Sequence, residues 1–129
     1  MTREDRNIWP GLTYDDPLAI RAWLAALGFE EGVLVPGEDG DRAVRHSEML
    51  WPEGGRVMIS SHTGDGRCDG RTGSCYVVTA DPDAVHRRAV ELGATVVREP
   101  VDTDYGSRDV GLLDPEGHAW HFGTYAGEE

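Results

Sequence analysis

The groups in this chain best suited to chemistry are an imidazole and a pair of thiols. His121 stands in the stretch His118-Ala119-Trp120-His121-Phe122-Gly123. Strand periodicity puts Trp120 and Phe122 on one face of that stretch and Ala119, His121 and Gly123 on the other. One face suits a core, and the other offers a single imidazole that can accept a proton, orient a ligand or bind a metal. A metal is held by several converging ligands, so the partners of His121 decide among these roles. The thiols, Cys68 and Cys75, are separated by six residues within a glycine-rich stretch, residues 63–75. Two free thiols, a disulfide closing the loop and a metal thiolate are all compatible with that spacing.

The turn Asp114-Pro115-Glu116-Gly117 feeds the strand that carries His121, with Gly117 supplying a positive φ. Two helices are evident upstream. In residues 15–29, Asp16 suits the N-cap, Pro17 the first helical position and Gly28 the C-cap. Ile20, Trp23, Leu24 and Leu27 then form one apolar stripe. Residues 81–94 repeat this with Asp81, Pro82 and Gly93. Strands are expected over 8–14, as an edge strand, and over 31–35, 43–51, 56–61, 75–79, 95–98, 108–113 and 118–123.

The order strand, helix, strand, strand, strand therefore occurs twice. Asp16, Pro17, Ala19, Leu27 and Gly28 recur as Asp81, Pro82, Ala84, Leu92 and Gly93, five identities at an offset of 65. The turn Pro52-Glu53-Gly54 recurs as Pro115-Glu116-Gly117 at an offset of 63. A duplication explains both offsets. The expected architecture is α+β, a single domain over 1–129 made of two βαβββ modules, 8–61 and 74–125, with a loop at 62–73. Two half-open sheets, each with one apolar helix, must pair to close a core.

Composition narrows the partners. The net charge is −12, from 24 acidic residues against 12 basic ones, all of them arginine. Such an excess repels phosphate backbones and anionic lipid, so neither nucleic acid nor membrane is expected as a partner. Residues 1–7 are polar with no apolar run behind them, so no signal peptide and a cytoplasmic location are expected.

In this order, the capped helices ending Leu27-Gly28-Phe29 and Leu92-Gly93-Ala94, then Arg98-Glu99-Pro100, Tyr105-Gly106-Ser107-Arg108 and Asp114-Pro115-Glu116-Gly117-His118, resemble the vicinal oxygen chelate superfamily. That group contains glyoxalases, bleomycin-resistance proteins and extradiol dioxygenases. The resemblance implies curved mixed sheets around a shared cleft with the helices outside, and a homodimer. It also implies, for the enzymes, a divalent ion held by His, Gln and Glu on cleft-facing strands. Carried through the repeat, those positions fall on Trp9, Met58, Ser74 and His121, and only His121 is a good ligand. No metal or other cofactor is therefore expected.

Strand periodicity puts Trp9, Gly11 and Thr13, Arg56 and Met58, and Ser74, Tyr76 and Val78 on the same side as His121. The candidate ligand-binding residues are Trp9, Trp51, Met58, Ser74, Tyr76, Arg108 and His121, with none assigned a catalytic role. Trp9 and Met58 suit core or interface packing as well as a ligand platform. Trp51 could form a cleft rim, and Arg108 could reach an anionic group or pair with one of the many carboxylates. His86 and Arg87 are expected in solvent. The expected function is metal-independent binding of a small molecule, an antibiotic or metabolite, as in the bleomycin-resistance branch. The alternative is a metal-dependent lyase, isomerase or transferase with a relocated site using His121, drawing on His46, His62, Cys68 or Cys75.

Overall fold

The structure is a computed structural model that describes residues 8–38, 42–62 and 74–127. The chain divides into two compact units, Met1–Thr72 and Gly73–Glu129. In the first, β1 (Gly11–Tyr14) leads to α1 (Pro17–Leu27), followed by β2 (Glu30–Pro36), β3 (Val44–Leu50) and β4 (Arg56–Ser61). In the second, β5 (Ser74–Val78) leads to α2 (Pro82–Leu92), then β6 (Thr95–Asp102), β7 (Arg108–Leu113) and β8 (Ala119–Gly123). Each unit is a βαβββ module with a four-stranded mixed sheet, ordered β1-β4-β3-β2 and β5-β8-β7-β6. The α+β class and the tandem repeat expected from sequence are both present.

The two helices are capped alike. The Asp16 carboxylate accepts from Ala19 N–H at 3.2 Å, and the Asp81 carboxylate accepts from Ala84 N–H at 3.0 Å. Gly28 and Gly93 end them at φ 123° and 77°, where a side chain would be strained. Beneath α1, Ile20, Leu24 and Leu27 pack with Tyr14, Met49 and Ile59, all fully buried. Beneath α2, Val85 and Ala89 meet the buried Val110, Leu112, Trp120 and Phe122.

One further tie links each helix to the second strand of its sheet. Arg21 on α1 is 4% exposed, and its guanidinium donates to the carbonyls of Gly32, Val33 and Glu48 at 3.2, 3.4 and 3.1 Å. Those carbonyls flank an irregularity between Glu31 and Leu34 in β2, so the arginine satisfies backbone acceptors that the ladder leaves over. At the offset of 65 the same helix position is His86, which reaches Glu99 on β6 at 2.8 Å. His86 is thus a strand-bound residue and not the solvated one expected.

Some boundaries differ from expectation. β1 starts at Gly11 instead of residue 8, since Pro10 has no N–H to give and uses only its carbonyl, which accepts from Met58 N–H at 2.9 Å. β6 runs to Asp102 instead of ending at residue 98. Pro100 is tolerated because β6 is an edge strand and its register shifts between Arg98 and Val101.

Candidate functional site

The strand registers fix which side chains share the face turned away from each helix. In the second unit β5 pairs with β8 so that Tyr76 lies beside His121 and Ser74 beside Ala119. On the other side of His121 the neighbour is Gly111 of β7. A Cβ at Gly111 would lie 3.2 Å from His121 Nδ1, so the missing side chain leaves room for the imidazole. Among the described residues, no hydrogen bond or ion pair engages the His121 ring.

On this face a hydrogen-bonded network surrounds Asp109, which is 6% exposed. Ser107 Oγ donates to Asp109 Oδ1 at 2.6 Å, and Tyr105 OH donates to Oδ2 at 3.0 Å. Tyr125 N–H donates to Ser107 Oγ at 3.0 Å, and Tyr76 OH donates to the Tyr125 carbonyl at 2.7 Å. The Tyr105 and Tyr125 rings meet edge to face, with centroids 5.7 Å apart and planes at 89°. Gly123 lies opposite Asp109. A Cβ there would collide with Asp109 Oδ1 and with the Tyr76 hydroxyl, so glycine lets the two oxygens approach each other. The hydrogen bond to Asp109 raises the Tyr105 phenol pKa, with burial and the Asp109 charge adding to it. Tyr76 is raised too, first by burial and then by the charges of Asp109 and Tyr105.

The first unit carries a different arrangement on the matching face. Gly11 pairs with Met58, as Tyr76 does with His121, so the offsets of 65 and 63 hold in the register itself. Arg56 lies over the Trp9 ring at 4.9 Å and donates to Glu48 Oε1 at 2.6 Å. Glu48 Oε2 lies 2.7 Å from His46 Nε2. The bond to His46 and then that to Arg56 hold the Glu48 carboxyl below its usual range. At the far ends of β1 and β4, His62 bridges Thr13 Oγ1 and Asp15 Oδ1, at 2.9 Å each.

Two candidates lie elsewhere. Trp51 is 7% exposed and packs against Phe29 with centroids 4.7 Å apart and planes tilted at 51°, on the helix side of its sheet. It forms no rim, because strand alternation from Met49 sends it inward. Arg108 alternates with Val110 and Leu112 toward α2, where it grips Asp83 at 2.8 and 2.9 Å and Asp102 at 3.1 Å. The structure thus realises its carboxylate pairing. Cys75 faces α2 as well; burial and the Asp114 charge push its thiol pKa up to about 11. Cys68 and the rest of the 63–73 loop lie outside the described residues, and a Cys68–Cys75 pairing with them.

Sequence reading included Tyr76 but missed Asp109 and the two hydroxyls that hold it, those of Tyr105 and Ser107. The signal was available as period two: Tyr105, Ser107, Asp109 and Gly111 fall on one side of one segment.

The divalent ion of the wider superfamily can be tested against the residues at its positions. In the first unit these are an indole and a thioether, Trp9 and Met58. In the second, Ser74 lies beside Ala119 and not beside His121. These donors do not fit a chelated divalent ion.

Two βαβββ modules with this register define a glyoxalase-like scaffold. A family model for the glyoxalase-like domain matches residues 15–122, and the chain belongs to that family, within the vicinal oxygen chelate superfamily. The uncharacterized protein Mb0911c of Mycobacterium bovis is 32% identical over 126 residues, which cover 88% of this chain and 80% of that protein. A stretch of 37 residues, 29% of this chain, is 62% identical to the anthracycline biosynthesis protein DauV of Streptomyces sp. (strain C5) and spans only 13% of DauV. The crystal structure of TioX from Micromonospora sp. ML1 is similar with a TM-score of 0.74 at 26% identity, covering 95% of this chain and 98% of that one.

Proposed function

We propose that this protein is a metal-independent binder of a small molecule, an antibiotic or metabolite with a planar aromatic portion. The observation that carries the reading is the His121 face. An imidazole without a hydrogen-bonding partner among the described residues lies beside Tyr76, which is 45% exposed. A phenol ring offers a stacking surface and the imidazole an orienting hydrogen bond. On the first unit, Trp9 and Met58 offer a further aromatic and soft surface, and Ser74 adds a hydroxyl to the second. The similarity of a short stretch to DauV, an anthracycline biosynthesis protein, supports a planar aromatic class.

A homodimer belongs to the same reading. Val33, Leu34 and Val35 on β2, and Val97 and Val101 on β6, are exposed on edge strands, where a second copy would cover them. Among the described residues no helix is long and apolar enough to cross a membrane.

Isothermal titration of the purified protein against anthracyclines and glycopeptide antibiotics tests the proposal. Saturable binding is expected, weakened about three- to tenfold in Tyr76→Ala and weakened also in His121→Ala. Absence of binding across a broad panel of planar aromatic compounds would overturn it.

A second reading, a lyase, isomerase or transferase with a relocated metal, is favoured by one observation. His62 and Asp15 place two donors within 2.9 Å of each other. Elemental analysis of untagged protein separates the readings, since stoichiometric zinc, nickel, manganese or iron would favour the enzyme.

A further inference from the structure

We propose that the Asp109 network is a subsite for a cationic amine, so that the bound molecule carries an alkylammonium group. This rests on the small-molecule reading above and adds a charge requirement to it. A carboxylate withdrawn from water is stable when a cation or several donors compensate it. Asp109 is 6% exposed, and the hydroxyls that donate to it, Ser107 Oγ and Tyr105 OH, are both neutral. No ion pair to it forms among the described residues. The Arg98 charge acts on the Tyr105 phenol against the stronger raising effect of Asp109, and Arg98 makes no salt bridge with Asp109 among the described residues.

The surroundings of that charge are aromatic. Tyr105, Tyr76 and Tyr125 are 60%, 45% and 37% exposed, although their polar groups are tied into the network around Asp109. The Tyr105 ring, whose hydroxyl holds the carboxylate, meets the Tyr125 ring edge to face. Ring faces attract an alkylammonium through their quadrupoles, and a buried carboxylate strengthens that attraction. A hydrated metal ion would gain little here, because one carboxylate already holding two hydroxyls is a poor chelate. An anion would meet Asp109 directly and be repelled. A Cβ at position 123 would collide with Asp109 Oδ1 and the Tyr76 hydroxyl, so the glycine is what lets Tyr76 close against the carboxylate.

The test uses tetramethylammonium chloride and its neutral isostere tert-butanol, with binding to the full chain followed by NMR of the tyrosine rings. Tetramethylammonium is expected to shift the Tyr76, Tyr105 and Tyr125 signals saturably, and tert-butanol to leave them in place. Asp109→Asn keeps the side-chain shape and removes only the charge that a quaternary ammonium can feel, so it should weaken tetramethylammonium binding at least about tenfold. Tyr105→Leu, at an exposed ring, leaves the charge in place and should also weaken it, so the result does not hang on one variant. Equal response to both probes, no response to either, or undiminished binding in both variants overturns the proposal. A planar aromatic compound that binds with no preference over its neutral N-acylated form overturns the ammonium subsite alone. Tetramethylammonium binding at Asp109 with no planar compound bound overturns the planar-ligand reading instead.

Discussion

Replacing Asp114 by alanine should loosen the strand that carries His121. The Asp114 carboxylate is buried and accepts from Glu116 N–H and His118 N–H at 3.0 Å each, and from Trp120 Nε1–H at 2.9 Å. A hydrogen bond to a charged group contributes about 1.5–3 kcal/mol, so three taken separately would exceed about 4 kcal/mol. The repeat shows that this sum is too large. At the offset of 63 the matching residue is Trp51, and its turn forms the same backbone bonds: Trp51 N–H to Gly55 O at 3.0 Å and Gly54 N–H to Trp51 O at 2.9 Å. The backbone turn therefore forms without a carboxylate, and the Asp114 contribution is concentrated on the indole of the fully buried Trp120. Depriving that N–H of its carboxylate acceptor should cost about 2–4 kcal/mol. Asp114→Asn, which keeps an acceptor for the turn but presents an amide NH2 to the indole, should cost about half as much. Urea unfolding measures the total, and hydrogen exchange of the Trp120 indole measures the local part, with an expected acceleration of roughly a hundredfold. A loss in Asp114→Ala below about 1 kcal/mol, or unaltered indole exchange, would refute this assignment.

Gly123→Ala should destabilise the second unit by about 1–3 kcal/mol, because its Cβ would drive Asp109 and the Tyr76 hydroxyl apart; urea unfolding checks it. The Arg108 guanidinium holds the Asp83 carboxyl below its ordinary 3.8, so the folded value lies under the unfolded one. The stability that Asp83 supplies is then full above pH 3.8 and lost as pH falls through the lowered folded value, a limb that Arg108→Gln and high salt should both flatten in acid titrations. Burial raises Cys75 from 9.0 to about 11, so its contribution is complete below pH 9.0 and disappears as pH rises toward 11. Mass spectrometry of the Cys75 peptide should show slow alkylation by iodoacetamide at neutral pH in the native state, and rapid alkylation in urea.

Local rules reached much of this fold because the caps and turns are written in residues with few alternatives. Asp-Pro at a helix start, Gly at its end and a turn with Gly at positive φ each fix one boundary, and their recurrence fixed the module. Period two then sorted the strands: Leu12, Tyr14, Val57 and Ile59 go under α1, as Trp120 and Phe122 go under α2. The same rule, applied to residues 105–111, separates Asp109 from Arg108, whose charge lies on the α2 side of the strand. Trp51 was misplaced for a related reason, since a large ring at a strand end reads as a rim until the alternation from Met49 is followed through. Pro100 concealed half of β6, because only its position at the sheet edge makes a proline acceptable there. The long reach of Arg21 to carbonyls of β2 and β3 was invisible locally, as it depends on a ladder irregularity that no single residue announces.

The duplication has left two faces that differ in how their charges are compensated. Both began from the same strand register, which still pairs Gly11 with Met58 and Tyr76 with His121. On the first face the charges compensate one another: Arg56 lies between the Trp9 ring and Glu48, and His46 completes the set. A ligand group meeting that face would have to compete with ion pairs already made. On the second face Asp109 is held by hydroxyls, and the imidazole of His121 has no hydrogen-bonding partner among the described residues. Hydroxyls orient a carboxylate without neutralising it, so the electrostatic attraction for an incoming cation persists. Selectivity between a cationic ligand and its neutral analogue should therefore follow substitutions at Asp109 and be nearly insensitive to Glu48→Gln. Equal loss of selectivity from both substitutions would mean that the two faces share the charge recognition that their internal contacts assign to the second alone.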